Sequence, residues 1–106
     1  MYAIVRENHF DSDAFLQGGE PIREFNRIHS QQPGFKGTLN VDLGQGRFIV
    51  INLWEDEEHA IRALPVMVPV VNRLLEPMFT QPSRLLGAGP ASWVDDAGLN
   101  VRPVGS

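Results

Sequence analysis

Pro33-Gly34-Phe35-Lys36-Gly37-Thr38-Leu39-Asn40-Val41-Asp42-Leu43-Gly44-Gln45-Gly46-Arg47-Phe48-Ile49-Val50-Ile51-Asn52-Leu53-Trp54 reads as a β-hairpin. Pro33-Gly34 punctuates its start, and Gly44-Gln45-Gly46 supplies a turn that tolerates positive φ. In the first arm Phe35, Gly37, Leu39, Val41 and Leu43 alternate with Lys36, Thr38, Asn40 and Asp42. That is the pattern of a strand with one wetter face. The second arm, Phe48-Ile49-Val50-Ile51, is apolar on both faces and is expected inside a sheet with cover on both sides.

Upstream of the hairpin, Tyr2 to Asn8 alternates as a first strand. Tyr2, Ile4, Arg6 and Asn8 share one face, and Ala3, Val5 and Glu7 share the other. Asp11 or Asp13 is placed to cap a short turn carrying Phe15 and Leu16, which Gly18-Gly19 would stop. A helix starts near Glu20, with Pro21 in its tolerant first turn. Ile22, Phe25 and Ile28 form its buried stripe. Downstream, Glu55-Asp56-Glu57-Glu58 suits the positive end of a second helix. Ala60, Ile61 and Leu64 give that helix an apolar side, and Pro65 is expected to break or kink it. Val66 to Phe79 is nearly all apolar, which predicts a largely buried segment with Pro69 in its first turn. Arg84 to Val94 reads as a glycine-softened last strand.

The order β-α-β-β-α-β predicts an α+β fold of the ferredoxin-like type: a four-stranded antiparallel sheet with helices on one face. Residues 1–95 form one domain in this reading, and residues 96–106 a C-terminal tail. The central strand offers Phe48 and Val50 to one side and Ile49, Ile51 and Leu53 to the other. Helices cover one side; a second copy stacking its own sheet would cover the other.

Composition sets outer limits. The chain has 106 residues, 42% of them hydrophobic and 21% charged, as in a globular domain. Its net charge of −4 disfavours nucleic acid, which needs a basic footprint. With no cysteine there is no disulfide frame and no thiolate ligand or nucleophile. No apolar run reaches the ~20 residues of a membrane helix, and the first residues lack the pattern of a signal peptide. A cytoplasmic protein without membrane partners is the expectation.

Pro33-Gly34-Phe35 opening the hairpin, Leu53-Trp54-Glu55 closing it, and the acidic residues and alanine-bearing helix that follow resemble the antibiotic biosynthesis monooxygenase-like family. The similarity runs in element order from Met1 to Val94. It implies a dimeric α+β barrel with a small-ligand cavity between sheet and helices in each protomer. The family includes cofactor-free oxygenases of aromatic polyketides, quinol oxygenases, haem-degrading enzymes and isomerase-like relatives. Members that oxidise polyketide phenols place an asparagine and a tryptophan on one face of the third strand. Asn52 and Trp54 match in type and face, at a shorter spacing. Haem degraders carry an asparagine late in the first strand, which Asn8 matches. They also need a tryptophan and a histidine on the second helix, and Ala63 through Val71 has neither.

Among the polar residues Asn52 is the most informative, because a side-chain amide inside an apolar strand must find a partner. Bonded to a substrate oxygen it would stabilise developing negative charge; bonded to backbone or water it is structural. Trp54 offers a flat wall with one donor. Arg6 could hold a carboxylate or a phenolate, or pair with a surface acid. Antiparallel pairing of the first and third strands puts Tyr2 near Trp54 and Asn8 near Phe48. Asn8 and Trp54 are then about 20 Å apart at ~3.3 Å per residue. Two clusters result: Asn52 with Trp54 and Tyr2, and Asn8 with Arg6. His59, in the first turn of the second helix, is a candidate proton acceptor if it faces the cavity. His9 and His29 read as surface or helix-end residues, and no histidine spacing suggests a metal site. Met67 is a candidate for an adaptable pocket wall.

These residues support two readings from different classes. One is a cofactor-independent monooxygenase acting on a small aromatic, phenolic or quinol compound. The other is a non-catalytic ligand-binding or accessory domain. An isomerase or lyase of the same fold is a third.

Overall fold

The computed structural model describes residues 1–17, 19–94 and 101–103. Its main sheet has four antiparallel strands in the order β2-β3-β1-β4: β1 (Tyr2–Phe10), β2 (Phe35–Gly44), β3 (Arg47–Trp54) and β4 (Phe79–Pro90). This is the predicted α+β, ferredoxin-like topology. The helices are α1 (Ser12–Gln17), α2 (Gly19–Ser30) and α3 (Glu57–Leu74), followed by a 3₁₀ turn at Glu76–Met78.

The hairpin forms as its sequence requires. Gln45 (φ 57°) and Gly46 (φ 79°) both take positive φ, the conformation of a type I′ turn. Asp42 Oδ1 accepts a 2.8 Å bond from the Gly44 N–H and braces the turn. A Cβ on Gly46 would stand 2.1 Å from the Phe10 carbonyl oxygen, so only glycine lets the turn close against β1. The expected register holds: Tyr2 pairs with Trp54 and Asn8 with Phe48.

Asp11 caps the short α1, its Oδ1 accepting from the Ala14 N–H at 3.0 Å. Asp56 caps α3 in the same way, accepting from the His59 N–H at 2.8 Å. Contrary to the sequence reading, Pro65 does not end this helix. α3 runs unbroken through Pro65 and Pro69. Both prolines are exposed and lie one turn apart, so the carbonyls they leave unpaired face the solvent side. The burial expected of Val66 to Phe79 is also only partial. Met67, Leu74, Leu75 and Met78 are buried, whereas Ile61, Leu64, Val66 and Val68 are exposed.

The last strand starts earlier than predicted, at Phe79. Pro82 is accommodated because β4 is a sheet edge that shifts register against β1. Beyond it, β5 (Ser92–Val94), read as the end of the last strand, pairs instead with β6 (Val101–Pro103), which lies inside the stretch read as a tail. The other residues of that tail lie outside the described ones.

The core divides in two. At one end of the sheet Trp54, Ala60, Ala63 and Met67 pack with Tyr2, Phe25 and Phe35. At the other, Phe10, Leu75 and Met78 pack with Phe15, Phe48 and Phe79. Between the two clusters the space under the helices stays open. On the opposite sheet face, Leu39 is 56%, Val41 40% and Leu43 47% exposed. Beside them Glu7 is buried on the same face. It accepts from Arg47 at 2.6 and 2.9 Å, with Arg84 and His9 each at 3.3 Å. The Arg47 bond, then His9, holds the Glu7 carboxyl below the usual carboxylate range.

Candidate functional site

A cavity of about 350 Å³ lies between sheet and helices. Its floor is the inward face of the strands: Ile4, Arg6, Asn8 and Phe10 on β1, Phe48, Val50, Asn52 and Trp54 on β3, Thr38 and Asn40 on β2, and Ser83 on β4. α2 contributes Phe25 and His29; α3 contributes Ala63, Met67, Val68 and Asn72.

Register explains the floor. Asn52 stands opposite Ile4 on β1 and opposite Thr38 on β2. Thr38 Oγ1 donates to Asn52 Oδ1 at 2.8 Å. At the other end Ser83 Oγ donates to Asn8 Oδ1 at 2.5 Å. In both asparagines a hydroxyl occupies the carbonyl oxygen, so the Nδ2 donors remain for another partner. Arg6 pairs with Val50 between them, one step diagonally from Asn52 and two residues from Asn8. It therefore links Asn8 to Asn52, which sequence reasoning assigned to separate clusters, and one cavity takes in all three together with Trp54.

Electrostatically the cavity is lopsided. Arg6 forms no ion pair with any described residue, since none of the salt bridges involves it. No Asp or Glu lines the cavity among the described residues, although the chain has 13. Trp54 is 3% exposed, and its indole Nε1 is the one buried side-chain polar atom without a partner among the described residues. Leaving such a donor unmade costs about 1–3 kcal/mol.

His29, read as a surface or helix-end residue, does lie in the last turn of α2 but is buried. Its ring packs against Phe35, Phe25 and Trp54 at centroid distances of 4.4, 5.2 and 5.6 Å. Burial pushes its pKa down to about 4, so the imidazole is neutral at physiological pH. The signal for this was present: His29 continues the Ile22–Phe25 stripe by one more helical turn.

The remaining expected residues divide. Met67 lines the cavity, and Tyr2 packs on the Trp54 cluster without lining it. His59 is not among the lining residues. Its Nδ1 lies 2.7 Å from Asp56 Oδ1 at the helix start, and its ring abuts Gly34. The candidate proton acceptor thus serves the helix cap instead.

No family model and no curated protein matches the sequence. Solved structures do match. One described as an antibiotic biosynthesis monooxygenase is 17% identical, over 86% of this chain and 98% of that one, with a TM-score of 0.67. The fold is that of the antibiotic biosynthesis monooxygenases. SnoaB, a cofactor-independent oxygenase from Streptomyces nogalater, shares it at 20% identity over 85% and 90% of the two chains, TM-score 0.60. A conserved protein from Methanosarcina mazei does so at 10% identity over 83% and 89%, TM-score 0.68. The monooxygenase fold therefore persists here with little sequence in common. Among the described residues no helix is long and apolar enough to cross a membrane.

Proposed function

We propose that the cavity binds a small aromatic phenol or quinol and supports its oxygenation without a cofactor. One observation carries this reading: a hollow with aromatic walls whose polar floor includes the Asn52 and Asn8 amides, their oxygens already engaged, and the Arg6 guanidinium. Such a floor favours an oxygen-bearing ligand in its anionic form. The substrate would lose its hydroxyl proton, and the resulting carbanion would reduce dioxygen. A ring C–H and a hydroxyl with one O₂ then leave as a quinone and one water. Trp54 would hold the ring as an apolar wall. His29 is the titratable base in the wall. Because burial makes it a weak one, stabilising the anion falls mainly to Arg6 and Asn52.

Oxygen uptake with a panel of naphthols and quinols tests this. Turnover is expected with the native chain, and Asn52→Ala lowers it by about 100-fold while cooperative unfolding is retained. Tight binding with no uptake supports the second reading, a non-catalytic ligand-binding domain. That reading is favoured by one observation: His59 lies away from the cavity, which leaves only the weakly basic His29 there.

We also propose that two copies stack through the sheet face bearing Leu39, Val41 and Leu43, whose exposure supports an interface.

A further inference from the structure

We propose that the ligand of this cavity carries a carboxylate, seated on Arg6 between Asn8 and Asn52, so that the preferred substrate is a hydroxylated aromatic acid. This deepens the reading of the cavity above and rests on that cavity being the ligand site.

Three features of the floor converge on it. First, Arg6 is a permanent cation on the inward face of the central strand β1, half-buried, with no ion-pair partner among the described residues. Arginines in structured sites ordinarily meet a carboxylate through their planar fork. On the opposite face of the same strand, Glu7 has drawn Arg47 and Arg84 to itself, so a carboxylate one residue away serves other arginines. Second, no Asp or Glu stands in the lining among the described residues, in a chain that is net negative. A neutral ligand would leave that charge unmatched in a mostly apolar hollow. Third, the amides on either side of Arg6 are held by Ser83 and Thr38 through their oxygens, which leaves Nδ2 donors on both flanks of the guanidinium. Asn8 is two residues from Arg6, roughly 7 Å along the strand. A carboxylate on Arg6 thus lies within reach of one amide, and an adjacent ring hydroxyl within reach of the other.

Calorimetric titration of the full chain with salicylate and with salicylamide, near-isosteric molecules differing in charge, tests the proposal. Salicylate is expected to bind at least about tenfold more tightly. Arg6→Met should erase that preference, weakening salicylate at least about tenfold more than the amide. Arg6→Lys, which keeps the charge and loses the fork, should retain part of it. Equal affinities in the native chain, including no binding of either at millimolar concentration, overturn the proposal. So does a preference that survives Arg6→Met. Should Arg6→Met fail to fold, the native pair and Arg6→Lys decide. Oxygen uptake on neutral naphthols without a carboxylate preference sinks this inference and leaves the oxygenase reading standing. Carboxylate selectivity without any uptake does the reverse.

Discussion

Thr38 and Asn52 face each other across β2 and β3, and a 2.8 Å hydrogen bond from the threonine hydroxyl fixes which end of the amide points onward. Thr38→Val keeps the shape and removes the bond. It is expected to weaken naphthol binding about five- to tenfold, the scale of one hydrogen bond of ~1 kcal/mol. Stability should change little, because Thr38 is exposed. Titration calorimetry and urea unfolding on the same variant separate the two effects.

His29 gives the fold an acid-sensitive element. Its folded pKa of about 4 lies below the ordinary 6.5, so the folded state binds the proton less well than the unfolded chain. The neutral ring's contribution is complete above pH 6.5 and is lost as pH falls toward 4. The loss is on the order of 3 kcal/mol. His29→Phe, which has no proton to take up, should flatten the stability profile over that window. Urea midpoints at neutral and mildly acidic pH check it. An unchanged slope in the variant would remove His29 as the cause. Glu7 and Asp56, both held below the usual carboxylate range, act lower on the scale, as pH falls through their depressed values.

Gly34 has φ of 78°, and a Cβ there would stand 2.4 Å from His59 Cγ. Gly34→Ala should cost more than the ~1–2 kcal/mol of left-handed backbone strain alone. His59→Ala removes the ring atoms of this clash but keeps the His59 Cβ 2.6 Å away, so the double variant should be less destabilised than the sum of the two singles while remaining destabilised by the Gly34 change. The single His59→Ala variant is expected to leave naphthol affinity unchanged, consistent with a capping histidine.

Phe10 joins the distal cluster edge-on to Phe48 and Phe79, with centroids 5.7 and 5.0 Å away. Phe10→Ala should destabilise by about 3–5 kcal/mol in denaturant unfolding.

For the proposed pairing of copies, light scattering should give twice the chain mass. Val41→Glu, on the exposed sheet face, should return it to the single-chain value. A native chain that scatters as a monomer at micromolar concentration overturns the pairing.

The sheet was legible because alternation and turn chemistry agree along Pro33 to Trp54, and the register Tyr2 to Trp54 then follows from topology. What escaped has a common cause: side-chain environment on the helices. Proline rules predict a break or a kink at Pro65, but they cannot tell whether the orphaned carbonyl meets water or protein. Hydrophobicity predicted burial of Val66 and Val68, yet apolar composition does not say which side of a helix is covered. Sequence alone does not decide the surroundings of His29, because an imidazole is equally at home at a wet helix end and in an aromatic box. Arg6 was placed on the right face. That it has no carboxylate partner among the described residues depends on where the acids land, which strand periodicity alone does not encode.

Strand order carries a last consequence. β1 is made first, yet it pairs with β3 and β4, whose register brings Ile4 beside Asn52 on one side and Ala88 on the other. No neighbour in sequence pairs with it. The floor bearing Arg6 therefore cannot assemble on a ribosome until almost the whole chain has emerged. Until then the β2–β3 hairpin is the only pair of these strands that can form locally, and its apolar arms must wait. Truncations ending before Phe79 should leave that hairpin exposed and prone to aggregate rather than yield a smaller working domain.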